Sequence, residues 1–185
     1  MADTLRHARE PLLHCLHAVI AQRISLWPPL LERAAAVHGQ PWQWHGLLSE
    51  EPAVAAVRVA HAVAMGPPGL QGWYADWPAV LEPAALQFAA AAAGLLAGCE
   101  PLPLLLLASA TDGSGADAGA LIDGESCARM TAAGFDPDTE ARLGNCAELL
   151  GSAGDLLSVS VTGGDDFAPP QFLILGLKWH APAGD

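Results

Sequence analysis

The stretch "LPLLLLASA" (residues 102–110) is a continuous apolar run that lies between a Pro-containing segment and a glycine-rich one. It is too short for a typical helix, and both of its faces are mainly apolar. Such runs are typical of a strand that a sheet buries on both faces, although leucine is not the strongest strand former. We therefore predict a buried strand here. It separates a first half that is predicted to be helical from a second half that is predicted to contain both strands and helices.

After this run, the sequence predicts a glycine-rich loop, a short helix at about 125–133, and a longer helix at 137–150 that Asp136 caps. Two alternating segments follow, "LLSVSVTG" (156–163) and "QFLILGLKW" (171–179). Because few residues connect them, we predict that these two segments pair as a long antiparallel hairpin.

The first half of the chain is predicted to be helical. Pro11 suits the first turn of a helix, and further helices are expected at about 29–37, 50–66 and 76–97. The predicted fold class is therefore α+β, in a single domain of 185 residues. An N-terminal helical lobe (1–98, about four helices) packs with an acidic C-terminal lobe (99–185) that contains a small sheet and two further helices.

The charge of the chain is strongly negative and unevenly placed. The net charge is −12, of which residues 99–185, with thirteen acidic and three basic residues, carry −10. Such a field repels nucleic-acid phosphates and anionic lipids, and it favours a basic protein partner. We therefore expect neither nucleic acid nor membrane as a partner.

The hydrophobic fraction of 52% excludes disorder, and the charged N-terminal residues do not resemble a secretory signal, so we expect a folded, cytoplasmic protein. The apolar window at 77–98 contains Glu82 and prolines, so we interpret it as a buried helix. Four widely spaced cysteines without a C-x-x-C pair indicate small core residues. Cys127 begins a predicted helix, but Asp123 and Glu125 oppose a reactive thiolate there.

Three groups of residues are weak metal-site candidates. The segment "TDGSGADAGALID" (111–123) contains Asp112 and Asp117, but it fails the calcium-loop pattern at two positions. Asp165 and Asp166 are adjacent acids that turn chemistry explains as well. His7, Glu10, His14 and His17 would share one helix face, but a helix that starts at Pro11 leaves only His14 and His17 on it. We predict no cofactor.

Aromatic residues cluster in two short segments, "QPWQWHG" (40–46) and "GWYADW" (72–77). Both are predicted to connect helices, where tryptophans commonly fill the end of a helical core. The alternative is an exposed partner-binding surface, because Trp42 and Trp44 on an extended segment would point the same way and His45 the opposite way. The candidate partner-binding residues are Trp42, Trp44, His45, Trp73, Tyr74, Trp77, Asp165 and Asp166.

These observations favour a protein-binding module, such as an adaptor, a secretion-type chaperone or a toxin-neutralising (immunity-type) protein, that engages a basic partner. No G-x-S-x-G, H-E-x-x-H, Walker or kinase signature is present, which favours binding over catalysis. One alternative is a small metal- or ligand-binding enzyme with its site at the acidic loops between the lobes. A second is a structural subunit of a larger complex or homo-oligomer, in which the alanine-rich helix at 84–97 would form the interface.

Overall fold

The computed structural model describes residues 2–20, 22–78, 83–99, 103–111, 119–158 and 171–179. The helices are α1 (Ala2–Val19), α2 (Trp27–Val37), α3 (Pro52–Met65), α4 (Ala84–Leu96), α5 (Ser126–Ala132), α6 (Pro137–Leu143) and α7 (Cys146–Ser152). The strands are β1 (Trp42–Leu48), β2 (Gly69–Ala75), β3 (Leu104–Ala110), β4 (Gly119–Asp123), β5 (Leu156–Leu157) and β6 (Phe172–Lys178). These elements confirm an α+β fold.

One mixed sheet of six strands has the order β1-β2-β6-β3-β4-β5. β1 and β2 are parallel and are connected through α3, whereas β6 is antiparallel to both of its neighbours, β2 and β3. β1, β2 and β3 therefore run in the same direction, and their carboxyl ends lie at the same end of the sheet.

Helices cover both faces of this sheet. On one face α1 and α2 bury Leu16 and Leu31 against β3 residues such as Leu105. On the other face α3, α4 and the short helices α5 and α7 pack over Leu106 and its neighbours. Every residue of β3 is buried, so the predicted strand buried on both faces is confirmed. A run of leucines suits this position because apolar neighbours lie on both sides.

The first half of the chain contains four α-helices, as predicted, but it also supplies two strands, β1 and β2, that the sequence analysis missed. Three glycines, Gly46, Gly69 and Gly72, lower the strand signal of these segments. Because β1 and β2 belong to the same sheet as the later strands, the sheet draws on both halves of the chain. The second half has three described helices rather than two.

α1 begins nine residues before Pro11, so the predicted start at Pro11 is wrong. Proline removes one main-chain hydrogen bond from a helix interior, which costs free energy. The helix nevertheless continues because Ala8, Leu12 and Leu16 form one apolar stripe that is buried against the sheet.

The predicted hairpin between residues 156–163 and 171–179 is also wrong. β6 lies between β2 and β3, and the described part of the first segment, β5, pairs with β4 instead. Alternation identifies a strand but does not identify its neighbours. The hairpin partner of β3 is β4, which occupies 119–123 of the segment predicted to be a loop.

The predicted helix at 137–150 is divided into α6 and α7 at Gly144, which has a positive φ of 82° and ends α6 in the left-handed conformation. The predicted helices over 50–66 and 125–133 are confirmed as α3 and α5. The apolar window at 77–98 contains α4, nine residues of which are buried. Within the described ranges, no helix combines the length and the apolar content needed to cross a membrane.

Candidate functional site

Three aromatic rings line up at the β1 side of the sheet. Trp42 and Trp44 project from β1 towards the face that α1 and α2 cover, as alternate residues of a strand must. Their ring centroids are 6.1 Å apart, and the Trp44 and Tyr74 centroids are 6.0 Å apart with the ring planes at 6° to each other. We call Trp42, Trp44 and Tyr74 the aromatic ladder.

Gly72 of β2 leaves the space that the two indoles occupy. It pairs in register with Trp44, and a Cβ atom at position 72 would lie 2.5 Å from Trp42 Cη2 and 3.0 Å from Trp44 Cε3. The absence of a side chain therefore lets both indoles pack down onto the sheet. Each ring of the ladder remains partly exposed, and the rest of its surface packs against the core on that face.

β1 is an edge strand of the sheet. It pairs with β2 on one side, and no described strand pairs with it on the other side. The strand contains no charged residue and no proline, which are two common devices that protect an edge from pairing with another chain. A bulge between Trp44 and Gly46 interrupts the pairing with β2 and places Leu47 in register with Tyr74. Trp42, Trp44 and Leu47 therefore share one face.

His45 lies on the opposite face of β1, as predicted. Its ring stacks on that of Trp73 with centroids 4.5 Å apart, and Nε2 lies 3.0 Å from Oε1 of Gln71. Trp73 itself is buried in the core. Trp77 is also buried, and its indole N–H donates to the main-chain oxygen of Glu50 at 2.8 Å. The structure thus separates the six described partner-binding candidates into the aromatic ladder, an exposed histidine and two core tryptophans.

A second constellation lies at the other edge of the sheet. Arg129 of α5 contacts two buried carboxylates: Nη1 is 2.9 Å from Asp123 Oδ1, and Nη2 is 2.6 Å from Asp155 Oδ1. Arg9 of α1 reaches Asp123 Oδ2 at 3.2 Å, and the Ser126 hydroxyl accepts from Arg129 at 3.0 Å. We call these five residues the acid–arginine cluster.

The two carboxylates of this cluster differ in their pKa values. Burial alone raises the pKa of Asp123, but hydrogen bonds from Arg129 and the Glu125 N–H outweigh it, so that the pKa is lower than normal. For Asp155, burial dominates and raises the pKa, and the bonds with Ser126 and Arg129 only partly offset it. Asp155 Oδ2 is buried without a hydrogen-bond partner among the residues described. The cluster therefore joins α1, α5 and the ends of β4 and β5 by internal ion pairs.

Of the weak metal candidates, the described ones lie on α1. His7, Glu10, His14 and His17 are exposed on a continuous α1, and His14 Nδ1 lies 3.0 Å from Nε2 of His38. The described part of the chain contains no group of three histidine, cysteine or acidic side chains that could hold a metal ion. Asp112, Asp117, Asp165 and Asp166 lie outside the described residues.

Cys127 does not have the environment of a nucleophile. Burial raises the pKa of its thiol, and the charges of Asp138 and Asp155 raise it further. Cys15 is fully buried, and burial raises its pKa to about 12. Both residues are packed side chains, as predicted for the cysteines.

Two solved structures share the fold of this chain. The PH0495 protein of Pyrococcus horikoshii OT3 superposes on 86% of the chain with a TM-score of 0.72 and 19% sequence identity. A glycerate kinase of Thermotoga maritima superposes on 85% of it with a TM-score of 0.69, also at 19% identity. The chain spans only 39% and 41% of the lengths of these two proteins. No protein-family model and no curated protein sequence matches it.

Proposed function

We propose that the chain is a cytoplasmic protein-binding module that engages a basic partner at the β1 edge, in the manner of an adaptor, a secretion-type chaperone or a toxin-neutralising protein. The observation that carries this proposal is the partly exposed aromatic ladder on an uncharged edge strand. Large, ordered aromatic side chains contribute much of the binding energy at protein interfaces. An edge strand adds main-chain donors and acceptors that another chain can use.

The net charge of −12 supports a basic partner. Much of the positive charge in the second half is already engaged inside the chain. Arg129 is bound in the acid–arginine cluster, and Lys178 donates from Nζ to the main-chain oxygens of Ala64 and Gly66, each at 3.0 Å, at the end of α3. The remaining field is acidic and would accelerate the encounter with a positively charged protein, more at low salt than at high salt.

Site-specific photo-cross-linking in the native cell tests this proposal. A photoreactive phenylalanine derivative would replace the exposed Gln43 of β1 in one variant and the exposed Leu143 of α6, as the matched control, in another. We expect Gln43 to capture one basic protein, and this capture should be lost when Trp44→Ala is added. Capture at Leu143 alone, or capture at Gln43 that does not depend on Trp44, would contradict a binding site on β1.

A second candidate function is small-molecule binding at the carboxyl ends of β1, β2 and β3. It is favoured by the fold that the chain shares with a glycerate kinase and by the common direction of these three strands. Polar residues follow each of these strand ends: Asp76 comes directly after β2, Thr111 directly after β3, and Glu50 two residues after β1. Calorimetric titration with glycerate, with Mg-ATP, and with both together tests it. Saturable binding that Thr111→Ala weakens would favour this candidate over the protein-binding module.

A further inference from the structure

We infer that the partner contributes an extended segment with arginines at alternate positions, which pairs with the Trp42–Trp44 part of β1 and stacks its guanidinium groups on the aromatic ladder. This inference rests on the proposed function and specifies the chemistry of the occupant of the same surface. It combines three observations on β1: the free edge, the spacing of the rings and the surrounding charge.

The free edge determines the shape of the occupant. Because β1 has no described strand on its outer side, its outward main-chain groups fit the backbone of another extended segment. The bulge between Trp44 and Gly46 divides the edge into two short parts. A helix could cover the rings but could not use the main-chain groups, so the edge favours a strand.

The ring spacing determines the pattern of side chains along that segment. Alternate residues of a strand lie about 6.6 Å apart on one face. The centroids of Trp42 and Trp44 are 6.1 Å apart, on the face of β1 from which alternate residues of an added strand would also project. Two side chains separated by one residue can therefore each meet one ring of the ladder.

The charge determines the chemistry of those side chains. Residues 27–51, which span α2, β1 and the connection to α3, carry Glu32, Glu50 and Glu51 against one base, Arg33, and Glu50 is paired with Arg58 of α3 at 2.6 Å. Glu32 and Glu51 are exposed, and α2 packs against β1. Cations are attracted to the faces of aromatic rings, tryptophan above all. Arginine fits better than lysine because its planar guanidinium group stacks on a ring and is more weakly hydrated than an ammonium group.

The test uses the full chain and synthetic peptides with an Arg-Thr-Arg-Thr-Arg core, together with the same peptide carrying lysine or citrulline in place of arginine. Calorimetry would give the affinities, and the indole N–H signals in NMR spectra would locate the binding site. We expect the arginine peptide to bind at least ten-fold more tightly than the citrulline peptide and several-fold more tightly than the lysine peptide. The Trp42 and Trp44 indole signals should shift, and that of buried Trp27 should not.

Two further comparisons address strand pairing and specificity. N-methylation of a peptide N–H that faces β1 should weaken binding at least ten-fold, whereas methylation of the next residue should have little effect. Trp42→Ala/Trp44→Ala should abolish binding, and Leu143→Ala should not affect it. Far-UV circular dichroism would establish that the double variant is folded, and the comparison among peptides on the wild-type chain does not depend on any variant.

Three outcomes would overturn the inference. Equal affinity for the arginine and citrulline peptides would exclude a cation on the rings. Arginine-dependent binding that is unaffected by the double variant or by N-methylation would indicate general attraction to an acidic surface. A dimer of this chain that the double variant dissociates would make a second copy the occupant of β1. In the first two cases, a basic protein cross-linked at Gln43 would still support the proposed function. Failure of the inference can therefore be distinguished from failure of the proposed function.

Discussion

The two edges of the sheet are built in opposite ways. At the β4–β5 edge, the strands are short and the charged side chains form ion pairs within the protein, because Arg129 joins Asp123 and Asp155. At the β1 edge, the strand has seven uncharged residues, and aromatic side chains remain partly exposed. The β4–β5 edge thus stabilises the fold, whereas the β1 edge leaves aromatic side chains partly exposed and has no described strand on its outer side. Substitutions at the two edges should therefore have different effects on stability and on binding.

The largest effect is expected for Arg129→Met at the β4–β5 edge. This substitution leaves two carboxylates with side-chain exposures of 2% and 0% without their shared cation. Breaking a buried ion pair by removing one partner typically costs 3–5 kcal/mol, and because Arg129 is partly exposed we expect about 3 kcal/mol. The free energy of unfolding in urea measures this loss. The exposed Arg142→Met on α6 is the matched control and should change it by less than about 0.5 kcal/mol.

The next prediction separates the two acids of the cluster. Asp123→Asn should destabilise the fold by about 2 kcal/mol at neutral pH, because the charged carboxylate accepts hydrogen bonds from Arg129 and from a main-chain N–H. Asp155→Asn should cost much less or stabilise the fold, since burial raises the pKa of Asp155 and an amide resembles its protonated form. Urea unfolding at pH 7 compares the two variants directly. An equal loss of unfolding free energy in both variants would contradict the different roles of the two carboxylates.

The pH dependence of these variants follows from the signs of the two pKa shifts. The pKa of Asp123 is lowered, so its contribution to stability is present above the ordinary value of about 3.9 and is lost as the pH falls through the lowered one. The pKa of Asp155 is raised, so the wild type gains stability as the pH falls through that value. The stability of Asp155→Asn relative to the wild type should therefore fall as the pH is lowered from 7 towards 4.5. The loss in Asp123→Asn should stay constant over the same interval.

The sequence predicted the parts of the fold that depend on local patterns. The apolar run of β3 and the helix boundaries around Pro52 and Gly66 are examples, because composition and capping act over a few residues. The position of β6 between β2 and β3 could not be predicted, since strand neighbours depend on contacts that are distant in sequence. β1 was missed because its bulge at Gly46 and its tryptophans are also typical of a loop.

The candidate site was predicted in part. The sequence indicated that Trp42 and Trp44 would point the same way, and the structure confirms this, but Tyr74 joins them only because β1 and β2 pair. The acid–arginine cluster was missed. Its signal was present in the sequence, since Arg129 is one of only three bases among thirteen acids in residues 99–185. An arginine in such an acidic segment is a good candidate for a buried ion pair with a nearby acid.

At the β1 edge, Gly72→Ala should destabilise the fold by about 1–2 kcal/mol. The added methyl group would meet the indoles of Trp42 and Trp44 and force them to move. Urea unfolding measures the cost, and near-UV circular dichroism should report the changed packing of the rings. Gly94→Ala in α4 is the matched control: nothing lies within 4 Å of its added Cβ, so the helix should gain up to about 1 kcal/mol. If Gly72→Ala is neutral, the ladder is loosely packed and the edges differ less than the structure indicates.

The smallest effect on stability and a large effect on binding are expected for Leu47→Lys. Leu47 is 43% exposed on the edge strand, so a lysine there should change the free energy of unfolding by less than about 0.5 kcal/mol. A charge on an edge strand opposes pairing with another chain, and a lysine also repels a basic partner. Cross-linking from Gln43 should therefore be lost in a fully stable protein. Leu143→Lys introduces the same charge at a residue that is 68% exposed on α6 and should leave both measurements unchanged. If both lysines weaken cross-linking equally, the overall charge governs the encounter, and the β1 edge has no special role in it.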